Sequence, residues 1–162
     1  QWTVARPSAM QDVVAESLYV LDIEESAVGR VVEDADHTLA LMDFCKRHSP
    51  DDGWTIVHEQ YRPFVLFHRT QAAAYQQLND ATPQAAIQCI NDGLATIKSI
   101  FEEHDLEEHF DEDELVGQLR EIRESLRNEY SVGKTLHEQL ADAIASEQYE
   151  RAAEIRDQLG QS

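Results

Sequence analysis

"LHEQLADAIASEQYERAAEIRDQL", Leu136 to Leu159, decides how this chain folds. Leu136, Leu140, Ala143 and Ile144 recur at helical spacing, and Tyr149, Ala152, Ala153, Ile155 and Leu159 give a second apolar stripe after a short break near Ser146. Two amphipathic stripes joined by so short a connection fold back on each other as an antiparallel helical hairpin. Thr135 followed three residues later by Glu138 is a capping-box pattern that starts the first of these helices. Glu147 and Arg151 have the spacing and order of a favourable helical ion pair, worth about 0.3 kcal/mol. A last helix of about a dozen residues is marginal in water by itself. It must lean on its preceding helix, on a second copy, or on another protein.

Upstream of the hairpin the same helical period continues. Leu115, Leu119, Ile122 and Leu126 form a stripe along "ELVGQLREIRESLRNEY", with Gly133 as the expected stop. "IVHEQYRPFVLFHRTQAAAYQQL" reads as a long helix interrupted or kinked at Pro63. Thr82 and Pro83 read as the N-cap and first residue of the next helix. Ala72, Ala73 and Ala74 facing Ala85 and Ala86 would let these two helices approach closely as another hairpin. It loosely resembles one tetratricopeptide-type repeat, which cannot bury its faces without neighbours. A helix over Glu24 to Lys46 and one over "PSAMQDVVAESLYVL", capped by Ser8, complete the pattern. No segment alternates with period two. The expectation is an all-α chain, a helical body over 1–110, a connecting helix over 111–134, and a hairpin over 135–162.

Composition narrows the function. With 32 acidic and 13 basic residues in 162, the formal charge is -19, which repels a phosphate backbone, so no direct nucleic-acid binding is expected. No apolar run is long enough to span a membrane. The opening "QWTVARPSAM" has neither an initiating Met nor the pattern of a secretory signal, as in a trimmed fragment. Cys45 and Cys89 stand apart with no CxxC pair, and a reduced, cytoplasmic setting is expected.

Within the C-terminal stretch, Tyr149, Glu150, Ala152, Ala153, Ile155, Arg156 and Asp157 match an aromatic followed by E-x-A-A-x-[LI]-R-D. In this the stretch resembles the UVR motif found at the C-terminus of the excision-repair helicase UvrB, in the nuclease UvrC and in McsA-type regulators. The resemblance implies a helical hairpin that binds another protein or pairs with itself as a homodimer. Carried over, Tyr149, Ala152, Ala153 and Ile155 would make the contact, with Glu147, Arg156 and Asp157 as polar partners. "LMDFCKRHSPDD" and "YRPFVLFHRTQAAAYQQL" also look like the body of bacterial proteins with a C-terminal UVR motif, a likeness that brings no activity with it. The helicase's GxxxxGKT loop is absent, as are the CxxC pairs through which McsA-type proteins bind metal.

Other clusters suggest less. "FEEHDLEEHFDEDE" carries His104 and His109 among carboxylates over 102–114, the alternative being a divalent-metal site or a metal-dependent enzyme; without HExxH, ExxH or a calcium loop it reads as a solvated acidic loop. Arg62 and Arg69, two turns apart with His58 nearby, can bind an anion or form internal ion pairs, the second being favoured. His68, on an apolar stretch, reads as a satisfied core histidine. No nucleophile motif is present, so neither catalysis nor a cofactor is expected. The expectation is an adaptor or regulatory protein acting through its last hairpin.

Overall fold

A computed structural model describes residues 25–160. The expected helix capped by Ser8 lies outside the described residues. The described part is helical, without strands: α1 (Glu25–Arg47), α2 (Asp52–Glu59), α3 (Arg62–Asp80), α4 (Pro83–Glu103), α5 (Glu107–Phe110), α6 (Glu114–Tyr130), α7 (Leu136–Ala145) and α8 (Tyr149–Gly160).

The centre is the antiparallel pair α3 and α4, with α1 against α3 and α6 against both. Phe64, Phe67, Ile90, Leu94, Ile97 and Phe101 meet Phe110, Leu115, Val116 and Leu119 in one core. Ala72, Ala74 and Ala86 are buried, as the small-residue pattern requires. The closest approach lies at Gly93, where an added Cβ would stand 2.2 Å from Thr70 Oγ1. Only a residue without a side chain lets α4 lie this near to α3. The neighbours that a lone repeat-like pair needs are supplied by α1 and α6.

Several helix starts have a local physical cause. Asp51 accepts from Trp54 N–H (2.8 Å) at the head of α2, and Thr82 Oγ1 accepts from Ala85 N–H (3.1 Å) ahead of Pro83. Asp113 accepts from Leu115 N–H (2.9 Å), so the acidic segment ends by capping α6. Of the two expectations at Pro63, the interruption holds and the kink does not. Pro63 sits in the first turn of α3, where its missing N–H would have had no partner, and α2 is a separate helix.

The helix ends differ from expectation in one respect. Asp105, Ser131 and Glu147 adopt left-handed backbone (φ 56°, 53° and 56°) without being glycine. At Glu147, Gln148 N–H donates to Ala143 O (2.7 Å) and Glu147 N–H to Ile144 O (3.0 Å), which satisfies the last carbonyls of α7 in the Schellman pattern. α6 likewise stops at Ser131 rather than Gly133, with Val132 N–H donating to Arg127 O (3.0 Å).

α6 belongs to the main core through Leu115, Val116 and Leu119, and Ile122 and Leu126 pack against the same cluster. That stripe is therefore occupied by the body. The α7–α8 hairpin closes on a small core of its own: Ala143, Ala152 and Ile155, flanked by Leu136, Leu140 and Leu159.

Candidate interaction hairpin

The hairpin begins with a complete capping box. Thr135 Oγ1 accepts from Glu138 N–H (3.3 Å), and Glu138 Oε2 accepts from Thr135 N–H (2.7 Å). Two donors that would otherwise lack partners are satisfied reciprocally. The chain then reverses through Ser146, Glu147 and Gln148 and starts α8 at Tyr149.

The geometry divides the sequence-selected residues into two groups. Ala152 and Ile155 are buried inside the hairpin, at 3% and 4% exposure, and hold α7 to α8. In this chain both pack in the hairpin's own core. Tyr149, by contrast, is 68% exposed, and Glu147, Ala153, Arg156 and Asp157 are also exposed. Residues 149, 153 and 156 are spaced by four and three, so they share one helical face beside the one that is buried. Ile144, which the apolar pattern placed inside, is 49% exposed and stands across the turn from Tyr149. The turn is thus flanked by two large, uncovered apolar side chains. The Glu147–Arg151 pair does not form among the described ion pairs, because Glu147 lies in the turn and the helix has not yet begun.

Polar contacts tie the hairpin to the body. Glu138 pairs with Arg127 and accepts from Asn91 Nδ2 (3.0 Å), and Thr135 Oγ1 donates to Gln88 Oε1 (2.8 Å). Burial alone would raise the pKa of Glu138, but hydrogen bonds from Arg127, the Thr135 backbone and Asn91 outweigh it and hold the carboxyl below its ordinary value. Sequence reading found Glu138 as a cap. It missed Arg127 and Asn91, because nothing local signals a partner eleven or more residues away.

The other clusters are used structurally. Arg62 bonds Glu59 through Nε–Oε2 (2.7 Å) and Nη2–Oε1 (2.8 Å) and also reaches Asp43 (2.8 Å). Arg69 forks onto Asp36, through Nε–Oδ1 (2.5 Å) and Nη2–Oδ2 (3.2 Å). Both arginines therefore serve internal ion pairs, with partners on α1 and α2. His58 Nδ1 lies 2.8 Å from Trp54 O. His68 is not satisfied as expected: Nδ1 is buried without a partner, between the rings of Phe64 and Phe67 (4.4 and 4.8 Å), and desolvation lowers its pKa to about 4. Burial, and then Asp92, push the Cys89 thiol above its ordinary value, away from a reactive thiolate.

The acidic segment is anchored at Phe110, which packs edge-on against Phe101 (5.7 Å), and several of its carboxylates are engaged. Asp111 meets Arg120 (2.5 Å), Asp113 caps α6, and Glu103 pairs with Lys46, whose hydrogen bond holds that carboxyl below its ordinary value. Among the described residues, no three His, Cys, Asp or Glu side chains come together in a group that could hold a metal ion. No described helix is long and apolar enough to cross a membrane.

Comparison with known proteins bears on the hairpin alone. No curated protein and no solved structure matches the chain. The family model described as the UvrB/uvrC motif matches residues 134–161, which begin one residue before the Thr135 cap and run through α8. The α7–α8 hairpin of this chain thus matches the UvrB/uvrC motif and is set on a body that is helical throughout the described residues.

Proposed function

We propose that this chain is an adaptor or regulatory protein, without catalysis of its own, that docks a second helical hairpin onto the exposed face of α7–α8. That hairpin is supplied by a second copy of the chain or by another protein. The observation that carries the reading is the exposure of Tyr149 and Ile144 at the turn of a hairpin whose core is closed by other residues. Large uncovered apolar side chains on both sides of a turn mark association surfaces. Ala153, one turn from Tyr149, is small enough to admit a partner helix closely. Arg156 and Asp157 offer both signs of charge next to it, which suits a two-fold contact in which each copy presents the same patch.

The test is a concentration series of amide NMR spectra of the full chain. Shifts confined to Ile144, Glu147, Tyr149, Ala153, Arg156 and Asp157, and abolished by Tyr149→Ser, are the expected result for self-docking. Concentration-dependent shifts centred on α1–α6 would reject the hairpin as the contact.

A further inference from the structure

Both members of the capping box at the head of α7 are shared with the body. Glu138 divides its oxygens. Oε2 takes the Thr135 N–H (2.7 Å) and so completes the cap, while Oε1 takes Asn91 Nδ2 (3.0 Å) from α4 and pairs with Arg127 of α6. Thr135 Oγ1 does the same, accepting from Glu138 N–H and donating to Gln88 Oε1 (2.8 Å) on α4. The body groups are themselves held in place. Gln88 Nε2 donates to Asp92 Oδ1 (2.8 Å), and Arg123 Nη1 donates to Asn91 Oδ1 (2.9 Å). Arg127 Nη1 also donates to the Gly133 carbonyl (2.6 Å), which fixes the joint between α6 and α7.

The apolar clusters are not shared. The hairpin's buried residues are Ala143, Ala152 and Ile155, and none of them joins the body's core. At the joint, Val132 is buried. A hairpin of this length with so small a core is below the size that folds unaided. Its order therefore has to come from the polar contacts at its base or from a partner.

We propose that Glu138 is a clasp that makes the order of the α7–α8 hairpin conditional on the body: Arg127 and Asn91 are positioning residues that hold the side chain capping α7, and loosening them releases the hairpin as one unit. The clasp stands whether or not the hairpin takes a partner. It gives the protein a way to present or withdraw its docking face from a point outside that face.

Amide hydrogen exchange of the full-length protein, at a dilution where its mass is that of a monomer, tests this. Arg127→Gln should speed exchange across 136–160 by at least tenfold and leave the α3–α4 core as slow as in the parent. Glu138→Gln should act in the same direction but less, because Gln can still close a capping box while it gives up the ion pair. Hairpin exchange unchanged in both variants would overturn the clasp. So would faster exchange spread equally through α3 and α4, because Arg127 would then be a support of the body rather than of the hairpin.

Discussion

His68 shows how much one side chain can set. It lies on α3 between two phenylalanines, its Nδ1 has no partner, and its pKa is lowered to about 4 from an ordinary 6.5. Between those two values the unfolded chain binds a proton that the folded chain refuses, so stability must fall as pH falls through this window. From pH 7 to pH 5 the loss from this one group is about 2 kcal/mol at most. Urea unfolding of the parent and of His68→Leu at both pH values should show the pH-dependent loss shrinking by that order in the variant. An equal loss in both would place the pH sensitivity elsewhere. The depressed carboxyls of Glu103 and Glu138 act lower down. Their contribution is present above the ordinary carboxylate range and disappears as pH falls through their folded values. Sequence could place His68 on an apolar face but could not reveal its missing partner, because that depends on what packing brings near it.

At the scale of the element, the starts at Thr82 and Thr135 and the ends near Arg47, Asp80 and Ser146 were legible, whereas the Asp51 and Asp113 caps and the left-handed residues that close several helices were not. Thr82–Pro83 and Thr135–Glu138 each act within one turn, so four residues of sequence contain the whole mechanism. The stops at Asp105, Ser131 and Glu147 use left-handed backbone without glycine, and no residue type announces them. Such a conformation costs a non-glycine residue about 1 kcal/mol. Glu147→Gly should therefore stabilise the α7–α8 hairpin by about that amount, seen as slower hydrogen exchange in 136–160 with the body unaffected. Faster exchange would mean that the Glu147 side chain contributes more than its backbone costs. The outward and inward faces of α8 were only partly legible as well. Tyr149, Ala152, Ala153 and Ile155 are equally apolar on paper. The crossing of α7 decides that Ala152 and Ile155 turn inward while Tyr149 and Ala153 remain uncovered.

For the molecule as a whole, the described chain is one helical body with a second, smaller unit mounted on it. The body has a continuous core from α3 to α6 and a buried ionic knot, in which Glu59 is 1% exposed and bonded to Arg62. Removing one partner of such a pair leaves a buried charge, so the knot fixes how α1, α2 and α3 meet. The hairpin has its own core and a polar base. The two cores are separate, so the hairpin is set apart from the body. This division makes the hairpin separable. The most direct test is the solution mass, by light scattering across a concentration series, of the intact chain and of a version ending at Tyr130. If the docked hairpin is that of a second copy, the intact chain rises toward twice its monomer mass with concentration while the shortened chain stays a folded monomer. A shortened chain that associates as the intact one does, or an intact chain that stays monomeric throughout, would contradict self-association through the hairpin.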